Sequence, residues 1–571
     1  MCALKWDEMS IKSYEEYSSK LDEIEGLVDL GPLDRQTERT KCVFVFCLDS
    51  LNARHPWRQP LAYFLPSKCM KSHEIIHLVE MCLDKLNDTG ANVKLLTCDQ
   101  GTNNQATYNQ LGVDVENPYF IYNNKKYYTL YDFPHLVKRL ASFFRTHGNL
   151  YCKGEIIASY SDFVKTWSID NATKGGSNLL SHITKAHIHP NCFEAMNVKK
   201  AFQLFNHTFA SAIKIAGDSK ELNSNTWKAT ADFAEHMNSV IDACNSYSFN
   251  VRFGGKRSLS RKNPDIEDLL LNFVQWCSGW SKFSDRIYQV PCFKGFIITT
   301  QAILAVYKEL ASKNEEFELA TGLCNQDSVE HLFSKLRQRG GFNPNPTARM
   351  VRLSIRHILS TGYIQTSDKG NVQCSESEAL INKPNQVIKM VENCMSANNV
   401  VAVDDVEDDV DDADLVTDLL DKHSDILEEY DVDINNVSIL NNYDDNAITY
   451  FAGYVARRCI EKNNCENCRT TMLKTPMEDA TPNERYIEYR EYPNADEDAP
   501  TVTKLTRSTN LFINIIKTQL MSFNRTWQHH WAFTKILEKE ELRMKVRMQR
   551  IKCMPDGLIQ MIGVTITACK R

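Results

Sequence analysis

The chain has 571 residues, 43% of them hydrophobic, and a formal charge of −7; one core rarely grows beyond ~250 to 300 residues, so more than one domain is expected. The charge is uneven: Asp404 to Asp433 holds 15 acidic residues and one Lys, a local −14 that leaves the rest of the chain at +7, a mildly basic body suited to meeting nucleic acid. The 19 cysteines are scattered, several (Cys42, Cys47, Cys82, Cys98) inside apolar stretches, which favours reduced core thiols of a cytosolic or nuclear protein over a disulfide framework. No signal peptide is visible, and the longest apolar region, Phe293 to Tyr307, is broken by Lys294, Thr299, Thr300 and Gln301, short of the ~20 apolar residues of a membrane span.

In chain order, Cys2 to Trp6 predicts a strand ending at Asp7; a chain rarely opens on the middle of a sheet, so a preceding segment is expected. Lys41 to Asp49 and Pro60 to Leu65 predict two more strands, β-branched and aromatic. Ser72 to Leu86 has helical periodicity, Val93 to Cys98 is a near-continuous apolar strand closed by Asp99-Gln100-Gly101, Tyr119 to Tyr122 is a further strand, and Pro134 to Phe144 a helix. This order predicts an α/β sandwich with acidic residues at strand ends, where ligands and metals gather. From about 150 to 320 the chain turns helical, most clearly over 197–216, 226–246 and 266–277. Arg252, Lys256, Arg257, Arg261 and Lys262 form a basic loop there, either a solvated connection or a contact for phosphates.

The stretch Asn325 to Phe342 places Val329, Leu332, Phe333 and Leu336 on one helical face, with Gly340-Gly341 as the stop. Glu330 lies at the edge of that face and Arg337 two turns along on nearly the same side. Two readings compete: a capping box in which Asp327 caps the helix and Glu330 reaches back, or a carboxylate offered to a site. Beyond it, Ala348 to Leu359 carries Arg349, Arg352 and Arg356 on one side. A flexible acidic linker (366–446) precedes a last domain (447–571). That domain holds Cys459, Cys465, Cys468, His529, His530 and Cys553, either a zinc site built on Cys465-x-x-Cys468 or ordinary thiols.

Carboxylates from two strand ends and one later helix are what a two-metal phosphoryl-transfer site needs, with Mg²⁺ suited to such oxygen donors. Asp7, Asp99 and Glu330 satisfy that pattern, although strand-end aspartates also serve as turn formers and caps. Four ordered runs carry a more specific resemblance: Trp6-Asp7-Glu8-Met9-Ser10-Ile11-Lys12, Cys98-Asp99-Gln100-Gly101-Thr102-Asn103-Asn104, Asp132-Phe133-Pro134-His135-Leu136-Val137-Lys138, and Asn325-Gln326-Asp327 through Glu330 to Arg339-Gly340-Gly341-Phe342. Over about residues 1 to 360, with an echo at Phe451-Ala452-Gly453-Tyr454-Val455, the chain resembles the P-element transposase family, which includes the vertebrate THAP-domain transposases.

The resemblance implies an α/β fold: a ribonuclease H-like catalytic domain (1–149, returning at 321–365) interrupted by an α-helical insertion domain of GTP-binding type (150–320), plus a small C-terminal domain. It implies that Asp7, Asp99 and Glu330 hold two catalytic Mg²⁺ (or Mn²⁺) ions, and that GTP serves assembly on DNA. Asp242 and Asn245 match the Asp-x-x-Asn pair that reads the guanine edge, the alternative being an ordinary polar helix end. The chain departs from the family at His182-Ile183-Thr184, where Lys-Leu-Thr is frequent, at Asn206, where a serine is common, and at Ile241, where an aromatic often stands. The family's N-terminal THAP zinc finger has no counterpart. The expected function is DNA transposition by metal-dependent strand cleavage and strand transfer, on double-stranded transposon ends and target, by a homo-oligomer in the nucleus and not at a membrane. Arg337 and Arg339 are expected near DNA phosphates, and His135 either orients a group at the site or is structural. The alternative is a domesticated, catalytically silent DNA- or GTP-binding regulator.

Overall fold

The protein is described from a computed structural model, which covers residues 1–33, 35–172, 178–247, 256–283, 290–338, 343–361, 363–364, 378–379, 441–463, 466–474, 481–491, 506–510, 512–514 and 516–517. The chain divides into two compact units, the first comprising Met1–Ile157, Pro190–Leu204 and His236–Val400, the second Ala158–His189, Phe205–Glu235 and Val401–Arg571.

The first unit is built on a mixed six-stranded sheet. Its strands are β1 (Cys2–Ser10), β2 (Cys42–Ser50), β3 (Arg58–Phe64), β4 (Val93–Cys98), β5 (Tyr119–Tyr122) and β6 (Lys125–Tyr131), in the order β3-β2-β1-β4-β6-β5. β1 is antiparallel to β2 and parallel to β4, and β4 is parallel to β6. Helices α1 (Ser72–Asp88), α2 (Thr102–Gln110) and α3 (Phe133–His147) follow β3, β4 and β6. Sequence reasoning left out β6 and α2. Asn123 and Asn124, with φ of 47° and 59°, make the two-residue turn that pairs β6 with β5, a strong hairpin signal. α2 is polar and Asn-rich, so no apolar stripe announces it.

One correction concerns β1, which runs to Ser10, so Asp7 lies inside the strand, opposite Val45 of β2, and not at its end. On the β4 side, however, the parallel ladder stops at the pair Lys5↔Thr97. Two residues beyond those partners lie Asp7 and Asp99. Alternation puts Lys5, Asp7 and Met9 on one face of β1 and Leu4 and Trp6 on the other. The Trp6 face is aromatic: the indole packs on Phe46 and Tyr108 at centroid distances of 5.9 and 6.1 Å.

The insertion returns to this sheet through α9 (Pro291–Lys313), numbered after α4 (Tyr160–Asn171), α5 (Val198–Leu204), α6 (His207–Asp218), α7 (Trp227–Cys244) and α8 (Pro264–Ser278). The expected 197–216 helix is thus two helices. The apolar stretch Phe293 to Tyr307 belongs to buried α9, which docks on β6: Thr299 Oγ1 accepts from Tyr131 N and donates to Tyr131 O, both at 2.9 Å. No helix among the described residues is long and apolar enough to cross a membrane. After it come α10 (Asp327–Gln338) and α11 (Ala348–Thr361). Val329, Leu332, Phe333 and Leu336 of α10 form one core with Ala348, Val351, Ile355 and Ile358 of α11 and with Met9, Val43, Val45 and Cys47 of the sheet. The periodic stripe therefore packs on the Asp7 face of β1.

In the second unit, α4, α6 and the first part of α7 join α12 (Asn442–Asn463) and α13 (Arg485–Arg490). Phe163 packs on Phe209 at 5.2 Å, and the buried Asp170 carboxylate accepts from Leu179 N, Leu180 N and the Tyr443 hydroxyl. Asn206 caps α6 by accepting from Phe209 N at 2.8 Å. Asn and Ser cap helices about equally well, so that departure from the family pattern leaves the helix start unharmed. Cys459 is buried; Cys465, His529, His530, Cys553 and the Cys468 side chain lie outside the described residues, as does the acidic linker apart from residues 378–379 and 441–446.

Candidate active site at the open end of the central ladder

The segment leading into α10 is bonded to the same two residues that end the parallel ladder. Lys5 Nζ donates to Leu323 O at 2.8 Å and Thr97 Oγ1 to Cys324 O at 2.9 Å. Both bonds come from the face that carries Asp7, two residues before each aspartate. The helix then starts under firm restraint. Gln326 N donates to Asp132 Oδ1 at 2.7 Å, the Gln326 amide donates to Trp6 O, and the Tyr247 hydroxyl donates to Asp327. Asp132 caps α3 by accepting from His135 N at 3.0 Å, so one carboxylate starts α3 and fixes the start of α10. Glu330 does not reach back in a capping box; its Oε1 lies 3.1 Å from His135 Nε2.

Asp99 follows β4 and precedes α2. Its Oδ1 accepts from Gly101 N at 3.0 Å and from Asn104 Nδ2 at 2.6 Å. A Cβ on Gly101 would stand 3.0 Å from Asp99 Oδ1, so the close turn onto the carboxylate suits glycine.

The carboxylates repel one another and cations surround them. Burial, with the charge of Asp99 next in importance, pushes the Asp7 carboxyl up to about 8 against the opposing pull of His135. Burial would lower His135, but the Glu330 hydrogen bond and the charge of Asp132 outweigh it and push the imidazole up to about 9. Burial would raise Glu330; the His135 hydrogen bond and charge hold it below the ordinary carboxylate range. Lys138 and Arg337 are pulled down by burial despite attraction to Glu330, and for Arg337 to Asp7. A cationic ring of His135, Lys138 and Arg337 thus partly neutralises Asp7, Asp99, Asp132 and Glu330.

As a donor set, Asp7, Asp99 and Glu330 offer only hard carboxylate oxygens, which fits Mg²⁺ or Mn²⁺, and the upward shift of Asp7, caused first by burial and next by the charge of Asp99, is one that a divalent cation would oppose. Among the described residues no three His, Cys, Asp or Glu side chains stand close enough to hold an ion as they are; Glu330 is instead engaged by His135. Sequence reasoning singled out the acidic trio but missed the roles of Asp132, Asn104, Lys138 and Tyr247; Asp132 reaches Gln326, Tyr247 reaches Asp327, and Asn104 joins nearby Asp99 to distant Trp6.

Asp7 has a consequence for pH. With its folded-state value raised from 3.8 to about 8, the neutral carboxyl is favoured by folding, so its contribution to stability is fully present below pH 3.8 and lost as pH rises through about 8. Metal-free protein is expected to resist urea better at pH 5 than at pH 8, and Asp7→Asn to flatten that slope. An unchanged slope in the variant would move the titration to another group.

Of the other expected site residues, Asp242 Oδ2 accepts from Asn238 Nδ2 at 3.1 Å, and Asn245 Oδ1 accepts from Asn325 Nδ2 at 2.8 Å. Ser246 N donates to Thr321 Oγ1 and Gly322 N to Ser246 O; a Cβ on Gly322 would meet the Tyr247 ring at 2.6 Å. The end of α7 and the approach to α10 are therefore one tightly bonded junction. In the basic loop, Arg257 pairs with Asp265, Arg261 with Glu315 and Lys262 with Glu318, and Arg252 lies outside the described residues. Arg352 pairs with Glu25 at 2.7 Å and Arg349 donates to Tyr17 O at 3.1 Å. Arg339 lies outside the described residues.

Three family models match in order: the TNP-like RNase H N-terminal domain over residues 1–112, the TNP-like GTP-binding insertion domain over 134–256, and the TNP-like RNase H C-terminal domain over 324–351. The Transposable element P transposase of Drosophila melanogaster is 25% identical over 393 residues. The chain carries TNP-like RNase H and GTP-binding insertion domains and is similar to P-element transposases. The P-element match covers 67% of this chain and 48% of the relative, so the chain spans about half the length of the curated relative it matches. The solved Drosophila P element transposase strand transfer complex has a TM-score of 0.53 to this structure at 24% identity, covering 62% of this chain and 75% of that one, and establishes the fold: ribonuclease H-like halves around an insertion. Asp7 and Asp99 fall within the first of the three TNP-like models, Asp242 and Asn245 within the second and Glu330 within the third.

Proposed function

We propose that the chain is a DNA transposase of the P-element type, cleaving DNA strands and joining them to a target through a two-metal site held by Asp7, Asp99 and Glu330. The observation that carries this reading is the shared offset of Asp7 and Asp99 beyond the last ladder pair, Lys5↔Thr97, with the α10 approach bonded to those same two residues. When bound, two divalent ions activate a water or 3′-hydroxyl and stabilise the leaving oxygen. The chain's own part is to offer three carboxylates, one from β1, one just past β4 and one from α10, and to place imidazolium, ammonium and guanidinium groups beside them. Arg337 and Lys138 then lie where a phosphodiester's charge is balanced, and His135, released from Glu330, can carry a proton or bond a phosphate oxygen. Double-stranded DNA as substrate, assembly as a homo-oligomer and a nuclear location follow from this reading. GTP, read by Asp242 and Asn245 in the insertion, is part of it, and the Asn245–Asn325 bond would tie that site to α10.

The test is incubation of purified protein with Mg²⁺ or Mn²⁺, GTP and a plasmid carrying the element's ends, for wild type and Asp99→Ala. Nicking by wild type alone is expected; equal nicking by both would sink the two-metal assignment. The Glu330–His135 pair favours a second reading, a silent DNA- or GTP-binding regulator in which that pair is permanent. DNA binding without nicking under every metal condition would select it.

A further inference from the structure

Asn104 sits at a place the metal chemistry does not by itself explain. It lies in the first turn of α2, nearly buried, and its amide makes two bonds of opposite sense: Oδ1 accepts from Trp6 Nε1 at 3.0 Å and Nδ2 donates to Asp99 Oδ1 at 2.6 Å. An amide between an N–H and a carboxylate has only one orientation that satisfies both, so its direction is fixed by chemistry. Trp6 cannot yield: its ring is fully buried between Phe46 and Tyr108. Its carbonyl also accepts from Gln326 at the start of α10. The residue immediately before Asp7 is therefore the common anchor for both other carboxylate-bearing segments, reaching Asp99 through Asn104 and the Glu330 helix through Gln326.

The two Asp99 oxygens are unequal. Oδ1 takes both Gly101 N and Asn104 Nδ2, whereas Oδ2 accepts no hydrogen bond from the described residues. Because the β1–β4 ladder ends at Lys5↔Thr97, no backbone pairing holds Asp99 against Asp7, and the Trp6–Asn104–Asp99 relay supplies that restraint instead. We infer that Asn104 is a positioning residue for the metal site: it dedicates Asp99 Oδ1 to the protein, fixes the carboxylate's rotation, and leaves Oδ2 as the oxygen for a divalent cation. This rests on the metal reading of Asp99 given above. Partners that orient a ligating carboxylate commonly govern ~10- to 100-fold of metal affinity.

The test is Mn²⁺ binding to the full chain, by titration calorimetry and water-proton relaxation, for wild type, Asn104→Leu, Trp6→Phe and Asp99→Asn, with near-ultraviolet circular dichroism as the check of fold. Asn104→Leu keeps side-chain size and removes the donor; it is expected to bind Mn²⁺ about tenfold more weakly with the fold retained. Trp6→Phe, which removes the indole N–H together with the volume of the second ring, is expected to weaken binding a few-fold by freeing the amide, with circular dichroism checking that the core is kept. Affinity unchanged in Asn104→Leu while Asp99→Asn loses binding overturns the positioning role alone. Affinity unchanged in Asp99→Asn overturns the metal reading and the inference with it. Should Asn104→Leu fail to fold, Trp6→Phe decides, and wild-type Mn²⁺ affinity in that variant overturns the relay.

Discussion

Glu330→Gln is expected to lower Mg²⁺-dependent DNA nicking by about three decades, equivalent to about 4 kcal/mol of transition-state stabilisation at ~1.36 kcal/mol per decade, while leaving the helix in place. The packed face of α10 and the face that carries Glu330 are separable. α10 is held to the sheet by Val329, Leu332, Phe333 and Leu336, in a core with Met9, Val43, Val45 and Cys47, and its start is fixed by Asp132 Oδ1 and Trp6 O. None of these depends on the charge of residue 330. What does depend on it is His135, whose imidazole burial alone would push down and which Glu330 and Asp132 push up to about 9. Removing the carboxylate's charge takes away the leading favourable contribution, so the His135 titration followed by NMR is expected to move down towards or below the ordinary histidine value. A variant with normal unfolding, lowered His135 titration and undiminished nicking would remove Glu330 from the reaction.

How much of this was legible beforehand depends on the range of the interaction. Local signals carried the α10 stripe, because four apolar residues at helical spacing were enough to place one face in a core, and all four are buried there. The strands β2, β3, β4 and β5 were readable from β-branched and aromatic runs, β4 and β5 with their observed boundaries and β2 and β3 displaced by one or two residues. β1 was cut short at Asp7 because an acidic pair, Asp7-Glu8, looks like the end of a strand; pairing with β2 as far as Ser10↔Cys42 carries it through. α9 escaped as an element because a helix buried all round has no polar stripe to set its period. Asp132 and Tyr247 escaped for another reason. Their partners, Gln326 and Asp327, lie 194 and 80 residues away, and only the closed fold brings them together.

The buried ammonium of Lys5 gives the other large expected effect. Lys5 Nζ lies 2.6 Å from Asp49 Oδ2 and donates to Leu323 O at 2.8 Å, with both charged side chains almost fully enclosed. Arg58 Nε is farther from Asp49, at 3.6 Å. Lys5→Met fits the space but strands the Asp49 carboxylate and leaves the Leu323 carbonyl without its donor. Breaking a buried pair in this way costs about 3 to 5 kcal/mol, a large part of the ~5 to 15 kcal/mol that a domain commonly has. Burial would raise the Asp49 carboxyl, yet the charges of Lys5 and Arg58 hold it below its ordinary value of 3.8. Its contribution is therefore present above pH 3.8 and lost as pH falls through the lower folded-state value. Urea unfolding is expected to show the largest gap between wild type and Lys5→Met at neutral pH, narrowing in acid. Because Leu323 leads into the helix that carries Glu330, the single variant is also expected to weaken Mn²⁺ binding. A gap below about 1 kcal/mol at pH 7, the size of an exposed ion pair, would show that Arg58 alone satisfies Asp49.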